Sequence, residues 1–402
     1  MVGNKRINRI ALFFILLFPF IKPQMVDSYE ATTYIYYFLK LLSSIFIVIL
    51  YIRRFKLREI NPCLYLVILF RVISIIPTIS NPYGDIVKYL GISVFDVAFV
   101  MIMQWCCSVD KKLFLLTAIR ILEFWILINA IMLFIPGLHT ERTDITGTTE
   151  YTSILGIDNR YIYYFLPFLF LKIVYVNEYK NNLSVSDYVW YFVCLSSLVY
   201  TKSTAAILGI LLFIPFVFYM RSEKKFKAVN YNIMLIGILI FNILFVFLRV
   251  QEYFAYFITN ILHKDLTLSF RTLVWDQAIS AIEKKPFLGY GYETYEGVAL
   301  HCHGANHPHN YILTLLLRGG FIGFIAYCCI LLYANVDLKK QQHDKNYKTY
   351  VFVMGVSLLL CTFDSFDYVF FYLILLAPAL IFDNKSHASP SIVSNVNNAS
   401  YS

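Results

Sequence analysis

Long apolar segments, separated by short charged connections, recur along nearly the whole chain and constrain its fold more than any other feature. A helix needs about 20 apolar residues to cross a bilayer, so each segment predicts a transmembrane helix. We place twelve, at residues 7–22, 32–51, 62–80, 89–109, 113–137, 161–177, 187–201, 203–220, 231–249, 311–335, 350–366 and 367–383. Only 15% of the residues are charged, which excludes an ordinary soluble enzyme. The sequence predicts an all-α polytopic membrane protein with about twelve transmembrane helices.

Positive charge alternates between successive connections. The richer set begins with Lys5, Arg6 and Arg9 and continues with the basic clusters at residues 53–58 and 221–227. Because connections rich in lysine and arginine stay in the cytoplasm, both termini are predicted to be cytoplasmic. The net charge of +9 then reflects cytoplasmic loops rather than nucleic-acid binding.

The segment pattern divides the chain into four parts. Residues 1–249 form a membrane domain with the first nine spans, and residues 311–383 form the last three. Residues 250–310, between the ninth and tenth spans, form a large extracytoplasmic loop, where we expect the chemistry because long ordered loops tend to be functional. Residues 384–402 form a polar tail that we expect to be disordered.

The middle of the large loop predicts a helix. Apolar residues recur four apart at Phe270, Val274, Ala278 and Ile282, after a capping Ser269 and before a terminating Pro286. Arg271 and Trp275 are four apart and share a neighbouring face, which suits a phosphate or sugar surface. The alternative is an amphipathic helix that lies on the membrane with Arg271 at the headgroups.

Four histidines fall within the nine residues that end at His309. One interpretation is a metal site built from His301, His303, His307 and Cys302, although the spacing fits no standard zinc pattern. A second is a general base at a helix start, with Pro308 in the first helical position and a neutral His309 in the first turn. A third is that these loop histidines have no chemical role. We favour His309 as the base.

Three segments resemble the bacterial O-antigen ligase and O-antigen/capsule polymerase superfamily of inner-membrane glycosyltransferases. The segments are Tyr200 to Ala206; Ser269-Phe270-Arg271 with Trp275 and the run Lys285 to Gly291; and His307 to Leu313 with Arg318 to Gly323. The resemblance implies transfer of an oligosaccharide from an undecaprenyl-diphosphate-linked donor to an acceptor hydroxyl, at the extracytoplasmic face of the bacterial cytoplasmic membrane. It implies no cofactor and no metal.

The acceptor distinguishes the members of this superfamily. A polymerase of O-antigen, capsule or exopolysaccharide extends the next lipid-linked repeat unit, and a ligase joins the polymer to lipid A core. We favour the polymerase, with the ligase as its alternative and a membrane transporter as the alternative from another class. Expected partners are the donor, the glycan or lipid A-core acceptor, the lipid bilayer and a chain-length regulator, but no nucleic acid.

The resemblance also implies roles for individual residues. His309 is expected to be the base and Arg271 to bind the donor diphosphate and assist catalysis. Further diphosphate contacts are expected from Lys202, which stands where an arginine is usual in the family, and from Arg142 and Arg160. Supporting roles are expected for His307, Asn310 and Trp275.

Overall fold

The structure, a computed structural model, describes residues 2–143, 149–180, 182–213, 216, 230–254, 256, 271–334, 344–365 and 369–382. Most of these residues are helical. Four helices are long and apolar enough to cross a membrane: Glu30–Arg54, Pro62–Ser80, Ile86–Phe134 and Tyr311–Tyr333. The prediction of a helical membrane protein is therefore supported. The predicted tail at 384–402, the end of the eighth span, the predicted cap Ser269 and the next residue, Phe270, lie outside the described residues.

The helices are numbered here in chain order. They are α1 (Val2–Leu17), α2 (Glu30–Arg54), α3 (Pro62–Ile73), α4 (Ile75–Ser80), α5 (Ile86–Phe134), α6 (Ile162–Tyr179), α7 (Val185–Tyr200), α8 (Thr204–Leu211), α9 (Tyr231–Asn242), α10 (Arg271–Lys284), α11 (Tyr295–His301), α12 (Tyr311–Tyr333), α13 (Lys345–Leu360), α14 (Tyr372–Leu375) and α15 (Ala377–Leu380). Helix α5 bends at Asp110, whose side chain accepts a hydrogen bond from the Leu113 N–H at 2.9 Å. The two halves of α5 correspond to the fourth and fifth predicted spans.

Two regions depart from the predicted pattern. The connection before α6 holds a small antiparallel sheet, ordered β1 (Thr140–Thr143), β2 (Thr149–Ser153) and β3 (Gly156–Ile157). Threonine and tyrosine in these strands favour extended backbone over helix. The predicted span at 367–383 contains, in its described part, a 3₁₀ turn and the short helices α14 and α15, with Pro378 at the start of α15.

Four charged residues of α5, α6 and α7 pair with one another. Glu123 accepts hydrogen bonds from Arg120 Nη1 at 2.6 Å and from Lys172 Nζ at 3.0 Å, and Lys172 also lies 3.2 Å from Asp187. Charge inside a membrane domain is costly unless it is paired. This network therefore stabilises the packing of α5, α6 and α7.

Helix α12 breaks at Gly320, where the backbone has φ 57° and ψ −161°. The run from Pro286 to Gly291 fills the gap. Its N–H groups at Tyr290 and Gly291 donate to the carbonyls of Leu317 and Arg318, at 2.6 and 3.0 Å, and the Pro286 carbonyl accepts from Phe321 at 2.8 Å. A Cβ on Gly320 would lie 2.2 Å from the Phe287 carbonyl carbon, so only glycine fits there. Two of the sequence segments that carry the family resemblance thus meet in space.

Candidate functional site

Helix α10 packs its apolar face against α12. Val274, Ala278 and Ile282 are buried there, as their spacing predicts, and the helix ends at Lys284, just before Pro286. Trp275 is fully buried in the same cluster. It therefore supports the site by packing and has no exposed face for a sugar ring. Arg271 begins this helix, so the packing of α10 determines where its guanidinium lies.

Asn310, and not Pro308, starts the helix that follows the histidine cluster. Its side-chain oxygen accepts a hydrogen bond from the Leu313 N–H at 2.9 Å, and α12 begins at Tyr311. The prediction that His309 lies in the first helical turn is therefore wrong. His309 precedes the cap and has a left-handed backbone, with φ 51°. Asn310 is a better helix cap than the residues before it, because its short side chain reaches the free N–H groups of the first turn.

The Asn310 amide also joins three parts of the bundle. It donates to Asn242 Oδ1 at 2.9 Å and to the Thr362 carbonyl at 3.0 Å, and Asn242 in turn donates to Thr362 Oγ1 at 3.0 Å. These bonds hold the end of α9, the start of α12 and the segment after α13 together. They fix the backbone next to His309.

We expect Asn310→Ala to destabilise the protein by about 1–2 kcal/mol, because it removes the helix cap and leaves buried partners unpaired. Thermal unfolding in detergent measures this change. Asn310→Asp keeps the capping oxygen but loses both donated bonds, so it separates the cap from the network. A melting temperature unchanged in Asn310→Ala would contradict this assignment.

His307, His309 and Asp364 form a compact group whose ligand atoms lie within 4.8 Å of one another. The His309 backbone N–H donates to His307 Nδ1 at 3.0 Å, and the two rings lie 4.0 Å apart between centroids. His307 therefore carries its proton on Nε2, which lies 3.8 Å from Asp364 Oδ1. A carboxylate close to a histidine pair can orient the rings and stabilise an imidazolium.

Arg271 and Arg160 place positive charge next to this group. Burial lowers the pKa of His309 to about 3, and the adjoining His307 and the two arginines act in the same direction. The Asp364 carboxylate opposes them. Burial also lowers the pKa of Arg271, which Asp364 again opposes. His309 is consequently neutral at pH 7 and stands beside cations that suit an anionic ligand.

Comparison with known families places this group in context. Residues 190–328 match the family described as O-antigen ligase. This region is similar to the O-antigen ligase family. The match contains Arg271, His307 and His309, whereas Arg160 and Asp364 lie outside it. A search for curated relatives finds no match to the chain.

Within this O-antigen ligase region and its surroundings, the structure brings some predicted residues together and separates others. His309, Arg271, Arg160 and His307 converge, and Asn310 supports them from the helix cap. Lys202 is exposed in the turn after α7, with φ 56°. Arg142 is exposed in β1, opposite Glu150. That Lys202 and Arg142 contact the donor diphosphate stays a prediction.

The metal site predicted from His301, His303, His307 and Cys302 does not form among the described residues. His301 lies 3.3 Å from Glu293, its ring is tilted against that of Tyr290 with centroids 4.1 Å apart, and His303 is exposed. Burial raises the pKa of Cys302 to about 12, so its thiol is protonated at pH 7.

Asp364 is the residue that the sequence analysis missed. It lies at the end of the segment predicted as the eleventh span, and a carboxylate in an apolar segment is itself a sign of function. The structure shows that α13 ends at Leu360 and that Asp364 already belongs to the connection that faces His307.

Proposed function

We propose that the protein transfers a glycan from a polyprenyl-diphosphate donor to a sugar hydroxyl, as a polymerase of lipid-linked repeat units. The observation that carries the proposal is a neutral His309 beside Arg271 and Arg160, in a membrane protein with an O-antigen ligase region. The match to the ligase family equally favours the ligase reaction, in which lipid A core is the acceptor. Both reactions use the same donor chemistry.

The proposed step is direct displacement at the anomeric carbon of the donor. The acceptor oxygen forms the new bond to that carbon, its proton passes to His309, and the bond from the carbon to the diphosphate oxygen breaks. The departing diphosphate gains charge, which Arg271 and Arg160 stabilise. Such a displacement inverts the anomeric configuration. Product linkages that keep the donor's configuration would exclude it.

The donor itself adjusts the strength of the base. Burial lowers the pKa of His309, and the two arginines lower it further. A bound diphosphate neutralises their charge, so the pKa of His309 rises once the donor is in place. His307 and Asp364 then orient the ring and stabilise the imidazolium that forms.

The same proposal includes topology and location. We place twelve spans in the bacterial cytoplasmic membrane, with both termini cytoplasmic and the His309 site on the outer face. The charge alternation of the connections supports this orientation. A flipped donor presents its glycan on the outer face, so the proposed orientation and chemistry agree.

Catalysis is proposed to need no metal. The His307, His309 and Asp364 group resembles a ligand set in geometry, but His307 Nδ1 already accepts a backbone hydrogen bond. Two nearby arginines also repel a divalent cation. We expect transfer by the purified protein to be unchanged after dialysis against a chelator. Loss of activity that returns with one added divalent metal would contradict this expectation.

The experiment that tests the function is glycan profiling by gel after deletion of the gene in its host. For a polymerase, we expect single repeat units on their final carrier and no ladder, with the ladder restored by the wild-type gene. Polymer that accumulates on the polyprenyl carrier and never reaches lipid A would instead establish the ligase. An unchanged profile would contradict both.

A further inference from the structure

A polar cavity of about 240 Å³ lies between α2, α5 and the start of α12, near the candidate site but lined by other residues. Its charged lining comprises four cations and two carboxylates: Lys22, Lys40, Arg71, Arg318, Asp27 and Asp96. The cavity therefore carries an excess of two positive charges. Such an excess in a partly buried cavity favours an anionic ligand.

Lys40 is the strongest evidence for that ligand. Lys40 is only 8% exposed. Its ammonium lies 5.5 Å from the ring centre of Phe95 and 6.0 Å from that of Phe20. In the part of the chain that the structure describes, no hydrogen-bond acceptor or carboxylate pairs with it. The two carboxylates of the cavity instead pair with Lys22 and Arg71. A buried ammonium without an anion is costly, so Lys40 is placed to bind one from outside the chain.

An apolar groove of about 540 Å³ adjoins the cavity at Arg71, which lines both. The groove runs between α2, the α3–α4 pair and α5. Aliphatic side chains line it, including Leu41, Ile45 and Val94, each of which is about half exposed on the outer surface of the bundle. These helices are apolar enough to cross a membrane, so the groove suits a hydrocarbon chain that enters from the bilayer.

A third cavity, of about 200 Å³, lies next to the cationic one and extends to His307, the neighbour of the base. Both cavities are lined by Tyr292 and Arg318, and the third also reaches His307 and Tyr295. A ligand anchored at Lys40 can therefore extend polar groups past two tyrosines toward His309. Tyrosine rings beside a polar channel suit the apolar faces of sugars.

We propose that the cationic cavity and the apolar groove bind the diphosphate and the prenyl chain of the acceptor, a second polyprenyl-diphosphate-linked glycan. This inference rests on the proposed polymerase function. A polymerase acceptor carries its own diphosphate, at a distance of one repeat unit from the hydroxyl that attacks. It therefore needs an anion site apart from Arg271, connected to the base by a channel that holds the repeat unit.

Charge and shape favour this occupant over other lipids. The excess of two positive charges in the cavity matches the two negative charges of a diphosphate diester. The apolar groove meets the cavity at Arg71 and suits a prenyl chain. Phosphatidylglycerol has one charge and two chains, and lipid A has several chains.

The test is the number of undecaprenyl diphosphate molecules that the purified full-length protein binds, measured by native mass spectrometry without turnover. We expect two for the wild type. Lys40→Met is expected to lose one and Arg271→Gln the other, each with affinity reduced by at least about tenfold, as expected for a lost charge-assisted contact. Lys40→Arg should retain both. Lys56→Met, which removes an exposed lysine just beyond the same helix, is the matched control.

Two molecules bound to a folded Lys40→Met variant would overturn the proposal, and Arg318→Gln provides a second variant if Lys40→Met melts early. Displacement of the Lys40-dependent molecule by phosphatidylglycerol, lipid A or free diphosphate at equal concentration would also overturn it. The binding count is independent of catalysis. If glycan profiling contradicts the polymerase while Lys40→Met still loses one molecule, the lipid site stands and only the reaction fails.

Discussion

Replacement of His309 by asparagine is expected to reduce glycan transfer by about 10²–10⁴-fold, the usual contribution of a positioned general base. Asparagine is chosen because residue 309 has a left-handed backbone, with φ 51°, and asparagine tolerates that conformation better than alanine. The loss of activity then reports on the imidazole and not on backbone strain. The measurement is the initial rate of transfer from a polyprenyl-diphosphate-linked glycan by purified protein.

His303 supplies a matched control for this substitution. It has the same left-handed backbone, with φ 50°, but its side chain is exposed. His303→Asn is expected to retain wild-type activity and thermal stability. If His309→Asn and His303→Asn behave alike, or if His309→Asn retains activity, His309 is not the base. A drop in both would point instead to a requirement for the histidine-rich loop as a whole.

The parts of the site that depend on local sequence could be predicted. The four-residue spacing of Val274, Ala278 and Ile282 predicts the buried face of α10, and Pro286 predicts its end. The family resemblance identified Arg271 and His309. In the structure the two residues are close enough for the charge of Arg271 to lower the pKa of His309. Helical periodicity and short motifs are local properties, so they are readable without tertiary contacts.

The parts that depend on distant contacts could not be predicted in this way. Asn310 caps α12 through its side-chain oxygen, while its amide nitrogen binds Asn242 and Thr362, which are 68 and 52 residues away in the chain. Asp364 reaches His307 because α13 ends earlier than its hydropathy indicates. Hydropathy counts apolar residues but does not show where a buried polar network will end a helix.

The cationic cavity likewise depends on contacts between residues that are distant in the sequence. Lys40 and Arg71 lie within the predicted spans at 32–51 and 62–80, where pairing with another residue of the chain is the ordinary explanation of a charge. That explanation holds for Arg71, which pairs with Asp96, but Lys40 contacts aromatic rings instead. Only the three-dimensional arrangement distinguishes a paired charge from one that is placed for a ligand.

Arg271 is expected to act both on the donor and on the base, and one substitution can separate the two effects. Arg271→Gln should reduce kcat/KM by about 10²–10³-fold, because it removes a donor that stabilises the leaving diphosphate. It should also change the pH profile. Burial and neighbouring cations hold the pKa of His309 well below its ordinary 6.5, so the acid limb of the wild-type kcat/KM profile lies well below that pH.

Removal of the Arg271 charge raises the pKa of His309, so the acid limb of Arg271→Gln is expected to move to higher pH. Arg271→Lys keeps the charge but loses the two-pronged contact with a phosphate, so its rate should fall while its acid limb stays near that of the wild type. Arg249→Gln is the control, because Arg249 pairs with Asp276 on the same helix as Arg271. An acid limb at the same pH in wild type and Arg271→Gln would show that Arg271 does not act on His309. A shift in Arg249→Gln as well would assign the effect to a general change in charge near α10.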